Sequence, residues 1–160
     1  MNVVVLAGSP KGSQSVTAEY VRYLAARRPE DTFTYFYPAQ AYRKYERHPE
    51  ALMEVLEAIA AADLVLWAFP LYFLLVSSGY KRFIEMLFEG DGGSTFRDRY
   101  TATLSTSIHF YDHTAHNYIH GVCDDLGMRY LGAFSAEMHD LLNTDTRAQL
   151  ERWFTMIEGR

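Results

Sequence analysis

Apolar positions along this chain switch repeatedly between two periods. Residues 3–7 and 64–69 are nearly unbroken apolar runs, the pattern of strands buried on both faces of a parallel sheet. Residues 32–36, 101–107 and 130–134 are rich in β-branched and aromatic side chains and read as three more strands. Between these runs the apolar spacing becomes i, i+3, i+4. Val16, Tyr20, Tyr23 and Leu24 line a first helix, and Leu52, Val55, Leu56 and Ile59 a second, with Pro49 suited to its first turn. Tyr80, Phe83, Ile84, Leu87 and Phe88 line a third that stops near Gly90; Ala115, Ile119, Val122 and Leu126 line a fourth that stops at Gly127. Leu150, Trp153, Phe154 and Ile157 line a fifth.

Five strand–helix units predict an α/β fold: a parallel sheet with helices on both faces and right-handed crossovers. Their number and length suit a three-layer, flavodoxin-like sheet ordered 2-1-3-4-5 better than a six-stranded dinucleotide fold. A single domain over residues 1–160 is expected. Residues 37–48, rich in Tyr, Arg and Lys, and the Gly-rich residues 90–98 read as loops.

Composition narrows the function. A formal net charge of −5 argues against a general nucleic-acid binder. A lone cysteine, Cys123, leaves no internal disulfide and no all-cysteine metal or cluster site, and fits a reducing, cytoplasmic setting. No secretory signal is visible, because the first apolar run is short and leads directly into a polar loop. No run approaches the roughly 18 apolar residues of a membrane span.

The chemistry begins at Gly8-Ser9-Pro10-Lys11-Gly12-Ser13-Gln14-Ser15-Val16-Thr17. A strand, a hydroxyl-rich loop and a helix start form a phosphate cradle: backbone N–H groups and the helix N-terminus carry positive partial charge, and the hydroxyls add donors. The spacing required for a nucleoside-triphosphate loop is absent, and Pro10 occupies the second glycine of the dinucleotide fingerprint. A terminal phosphate monoester fits what remains. Ser9, Ser15 and Thr17 are the expected hydroxyl donors, and the N–H groups of Gln14, Ser15, Val16 and Thr17 are expected to be free. A capped turn without a ligand would need one hydroxyl.

Two further loops should converge at the carboxyl ends of the strands. Phe69-Pro70-Leu71-Tyr72-Phe73-Leu74-Leu75-Val76 is almost wholly apolar. A flat ring such as a flavin would cover it, as would a partner subunit; packing inward as the start of the third helix is the alternative. Ser105-Thr106-Ser107-Ile108-His109-Phe110-Tyr111-Asp112 offers hydroxyls and amides to the polar edge of a heteroaromatic ring, with Tyr111 placed to flank it; an Asp112-capped helix with incidental polar residues is the alternative.

Gly8-Ser9-Pro10-Lys11 with Ser15-Val16-Thr17, then Ala62-Asp63-Leu64-Val65 leading to Phe69-Pro70-Leu71-Tyr72-Phe73, then Lys81-Arg82-Phe83-Ile84-Glu85, resembles the NAD(P)H-dependent FMN reductases, with the iron–sulfur flavoprotein branch most similar. The resemblance spans about the first two thirds of the chain. It implies non-covalent FMN, NADPH or NADH as transient substrate, and a quinone or other electron acceptor. Ser9, Lys11, Ser15, Val16 and Thr17 would bind the phosphate, and Pro70, Leu71, Tyr72 and Phe73 would line the isoalloxazine. Ser105, Thr106, Ser107 and His109 are similar in position, beside Tyr111. A homo-oligomer is implied, because flavin sites in this group often lie at subunit contacts. No residue is assigned as catalytic, since the flavin carries the chemistry. One departure is clear: the cysteine cluster of the iron–sulfur branch is replaced by Tyr42, Arg43, Lys44, Tyr45, Arg47 and His48. This cationic segment is either solvated or recognises a nucleotide phosphate or a partner.

Two other functions are compatible with the residues. A flavodoxin-type electron carrier would share the fold, although such carriers are usually more acidic than this chain. A metal site could use His113, His116 and His120, which share one helical face, although no carboxylate joins them there.

Overall fold

The apolar runs form the centre of a five-stranded sheet. In the computed structural model, which describes residues 1–108 and 110–159, β1 (Asn2–Ala7), β2 (Thr32–Phe36), β3 (Leu64–Pro70), β4 (Tyr100–Ser107) and β5 (Arg129–Glu137) are all parallel. Their order is β2-β1-β3-β4-β5. The helices are α1 (Val16–Arg27), α2 (Pro38–Arg47), α3 (Pro49–Ala60), α4 (Ser78–Glu89), α5 (Asp112–Asp125) and α6 (Thr144–Glu158). The expected flavodoxin-like α/β architecture and strand order are found.

Strand alternation divides the core in two. Val4 and Leu6 of β1 and Val65, Trp67 and Phe69 of β3 face α2 to α5. Val3, Val5, Leu64, Leu66 and Ala68 face α1 and α6. Because β1 and β3 are covered on both sides, their residues must be apolar at successive positions, which is why these strands lack alternation.

Three expectations are corrected. Residues 37–48 are not a loop: Pro38 opens α2, which buries Ala39 and Tyr45 and half-buries Tyr42. This inward stripe, spaced i, i+3, i+6, is too narrow to stand out among so many charges. Residues 90–98 contain a 3-10 turn, Asp91–Phe96, whose Phe96 is buried and stacks on Trp67 at 5.9 Å. Phe88 lies exposed at the end of α4, and Met86 takes the buried place. Among the described residues no helix is long and apolar enough to cross a membrane.

Candidate functional site

A cleft of about 450 Å³ opens at the carboxyl ends of β1, β3 and β4, within the ~300–1,000 Å³ typical of small-molecule sites. It is lined by Ser9, Lys11, Ser15, Val16 and Thr17 after β1, by Pro70, Leu71, Tyr72 and Phe73 after β3, and by Thr106, Ser107, Ile108, Phe110 and Met138.

The β1–α1 loop is built to leave donors open. Gly12 adopts φ +55°, and a side chain there would meet the Gln40 amide. The turn it permits, Gly12–Gln14, consumes two N–H groups: Gln14 donates to Lys11 O (3.2 Å) and Ser15 to Gly12 O (3.1 Å). The expectation that Gln14 and Ser15 present free N–H groups is therefore corrected. Those of Val16 and Thr17, at the first turn of α1, have no hydrogen-bond partner among the described residues. Ser15 caps α1, its Oγ accepting from Ala18 N–H at 3.2 Å; Ser9 Oγ accepts from Lys11 N–H at 3.2 Å. A hydroxyl that accepts one bond still has its own hydrogen to donate. Thr17 Oγ1 and Thr106 Oγ1 lie 2.6 Å apart, coupling α1 to β4. Lys11 is the single charged side chain among the described lining residues.

The opposite wall is apolar and held from behind. Leu71 N–H donates to Thr106 O at 2.9 Å, and Tyr72 N–H closes a tight turn on Leu75 O at 2.8 Å. Leu74 sits at φ +63°, its carbonyl accepting from the Thr114 hydroxyl of α5. Such a conformation persists in a non-glycine residue only where its surroundings fix it. Val76 is buried and Leu71 and Leu75 pack on the core, while Tyr72 is 46 % and Phe73 86 % exposed. The segment does not begin a helix, since α4 starts at Ser78; Leu71, Leu75 and Val76 pack inward, while Tyr72 and Phe73 stand at the cleft mouth.

Strand alternation turns Thr106 toward α1 and Ser105 toward α5. Thr106 and Ser107, the last two residues of β4, line the cleft, and Ser105 does not. Ser105 is fully buried, its Oγ lies 2.8 Å from His116 Nε2, and it stands outside the cleft lining. Tyr111, at φ +56°, stands outside the lining and packs edge-on to Phe110. His109 lies outside the described residues. Ile108, Phe110 and Met138 are lining residues that the sequence reading did not single out. Met138 is reached because β5 runs to Glu137, three residues past its expected end.

The histidine face of α5 does not assemble a metal site. His116 Nδ1 and Nε2 each lie 2.8 Å from a hydroxyl, those of Thr103 and Ser105. His120 stacks on Tyr130 at 4.1 Å, and His113 packs near Tyr111. Among the described residues no three metal-ligating side chains converge. Burial pushes the His116 imidazole down to about 4, against a smaller opposing effect of Asp112, so it is neutral. The unfolded chain binds this proton from about pH 6.5 downward and the folded chain does not. Stability should therefore fall between about pH 6.5 and 4, by up to about 3 kcal/mol. Urea unfolding across that range should show a flatter pH dependence for His116→Gln than for the unsubstituted chain; equal slopes would contradict this assignment.

Solved structures share this architecture. An NADH:FMN oxidoreductase in its apo form aligns with a TM-score of 0.79 at 20% identity, over 98% of this chain and 87% of that one. FerB, an NAD(P)H:(acceptor) oxidoreductase from Paracoccus denitrificans, gives 0.72 at 15% identity, over 99% and 97%. A WrbA-like flavodoxin from Agrobacterium tumefaciens gives 0.68 at 18%, over 99% and 98%. At these identities the likeness shows the fold. No curated protein matches the chain. The family model described as NADPH-dependent FMN reductase matches residues 1–140. That match runs through the whole described lining of the cleft, from Ser9 to Met138, and the chain belongs to this family.

Proposed function

We propose that the protein is an FMN-dependent NAD(P)H oxidoreductase that passes electrons to a quinone or another small acceptor. The observation that carries this reading is the pair of N–H groups at Val16 and Thr17 that have no partner among the described residues, set among the Ser9, Ser15 and Thr17 hydroxyls at one end of a largely apolar cleft. That donor set fits a phosphate monoester, and the apolar wall fits a flat heteroaromatic ring. Ser9, Lys11, Ser15, Val16 and Thr17 would hold the phosphate, Lys11 adding the balancing charge. Pro70, Leu71, Tyr72 and Phe73 would cover one side of the ring, and Thr106, Ser107 and Phe110 would hold its edge and flank. When bound, FMN supplies two-electron chemistry between a nicotinamide and an acceptor. These residues would orient the ring and exclude water from the side they cover. The exposed apolar rim of Tyr72, Phe73, Ile108, Phe110 and Met138 supports a homo-oligomer in which a second copy covers this mouth.

The test is optical. Purified protein titrated with FMN should show a perturbed visible flavin spectrum and a saturable one-to-one stoichiometry. Anaerobic NADPH or NADH should then bleach it, and a quinone should restore it. Failure to bind flavin would remove the reading altogether. Binding without bleaching by either nucleotide would leave the electron-carrier function in its place.

A further inference from the structure

Helix α2 carries a feature that the flavin reading leaves unused. Gln40, Arg43, Lys44 and Arg47 are spaced i, i+3, i+4, i+7 and are all exposed, so they form one stripe. The opposite face packs inward through Ala39 and Tyr45, with Tyr42 against α4 beside Gly79. The stripe starts at the phosphate loop, where Gln40 Nε2 donates to Pro10 O at 2.9 Å and its amide lies over Gly12. From there it runs about 10 Å along the helix.

Its cations are not committed to the fold. Arg22, Arg27, Arg28, Arg82 and Arg129 each pair with a carboxylate. Among the described residues Arg43, Lys44 and Arg47 have no such partner; Lys11, Lys81, Arg97, Arg99, Arg147 and Arg152 lack one as well, so what marks these three is that they lie together on one exposed helical face. Glu46, which lies between them in sequence, is turned toward Arg82 of α4 at 2.6 Å. Arg43 is also preorganised: its Nε donates to Tyr42 Oη at 3.0 Å, and its guanidinium lies 5.5 Å from that ring's centre. A planar, oriented, unpaired guanidinium beside a lysine is suited to a phosphate dianion. The flavin monoester is already provided for by the β1–α1 loop, so the stripe is available for a second phosphate.

We propose that Arg43, Lys44 and Arg47 bind the ribose 2′-phosphate of NADPH and so select it over NADH. This inference rests on the oxidoreductase reading above. The 2′-phosphate is the group by which the two nucleotides differ, and exposed charges are screened within about 8–10 Å at physiological salt. Discrimination therefore requires direct contact, which three side chains along one face can supply.

The test compares the unsubstituted protein with a variant carrying Arg43→Gln, Lys44→Gln and Arg47→Gln. These are exposed positions, where substitution leaves folding intact. The ratio of kcat/KM for NADPH to that for NADH should fall about 10- to 100-fold, the effect of one or two lost charge-assisted hydrogen bonds, with the NADH value changed by less than about twofold. Calorimetric titration of FMN-saturated protein with adenosine 2′,5′-bisphosphate should weaken in parallel, while 5′-AMP binding stays unchanged. Arg152→Gln, which removes one exposed charge from α6, should alter none of these. An unchanged nucleotide ratio, or an equal loss for the bisphosphate and 5′-AMP, would overturn the inference. The visible spectrum of the same samples reports flavin binding separately. Should no flavin bind, the difference in bisphosphate affinity between the two proteins still decides whether the stripe recognises the 2′-phosphate.

Discussion

Replacing Tyr80 by alanine should lower the unfolding free energy by about 3–5 kcal/mol, the usual cost of deleting a buried aromatic side chain. Tyr80 is fully buried on α4. Its ring lies 6.0 Å from Trp67, 6.3 Å from Phe69 and 6.3 Å from Phe83, so removal opens a void in the most aromatic part of the core. Its hydroxyl, kept protonated because burial raises its pKa, donates to Leu6 O at 2.6 Å. The same ring is the floor of the β1–α1 loop: a Cβ on Gly8 would stand 2.6 Å from it. Tyr80→Ala should therefore weaken FMN binding as well as stability, although Tyr80 does not line the cleft. Tyr80→Phe keeps the ring and loses one hydrogen bond, for about 1 kcal/mol, and should retain FMN affinity. Urea unfolding with an FMN titration on both variants separates the two contributions. If alanine costs no more than phenylalanine, ring packing is not what holds β1 to α4. Against a total stability of about 5–15 kcal/mol, the alanine variant is expected to be only marginally folded at 37 °C.

The parts of this fold that were legible in the sequence are those where burial fixes residue type. Residues 3–7 and 64–69 had to be apolar throughout because helices cover both faces of β1 and β3, and their runs stated it directly. The hydroxyl-rich start of α1 was legible for a related reason: Ser15 caps the helix, and a cap alone does not require the neighbouring Ser9 and Thr17. Helix α2 was hidden because its inward side is carried by small and tyrosine side chains, Ala39, Tyr42 and Tyr45, and its remaining positions carry charges that read as a solvated loop. That Ser105 turns away from the cleft lining was not legible, because a run of hydroxyls does not show where the strand ends and which of them reach its rim. Its neighbour Thr106, one residue on, projects to the α1 side and meets Thr17. The two missing N–H donors at Gln14 and Ser15 depended on a 3-10 turn that only the positive φ of Gly12 allows, and nothing in composition distinguishes that glycine from one merely tolerated. Periodicity thus conveyed what the core requires, while the details of the cleft followed from strand facing and turn geometry.

Ser15→Asp should abolish FMN binding and leave the fold intact, which separates the capping role of this residue from the phosphate-binding role proposed for it. Ser15 Oγ accepts from Ala18 N–H and caps α1. Aspartate caps a helix as well as serine does, and its charge favours the helix N-terminus by about 0.3–1 kcal/mol, so stability should hold or rise slightly. The same carboxylate would take up the Val16 and Thr17 N–H groups that are otherwise unpartnered, and would stand against the flavin phosphate. Two lost charge-assisted hydrogen bonds and a close like-charge contact should weaken FMN by at least about 100-fold. Ser15→Ala should behave in the opposite sense. It loses the cap, for about 1 kcal/mol of stability, but removes one donor without adding charge, so FMN affinity should drop by only about tenfold. Riboflavin, which has no phosphate, supplies the control: its weaker binding should be the same in the unsubstituted and Ser15→Asp proteins. Thermal unfolding paired with FMN and riboflavin titrations would read all of these. FMN binding by Ser15→Asp at the unsubstituted affinity would mean that the phosphate lies elsewhere, and with it the assignment of the β1–α1 loop.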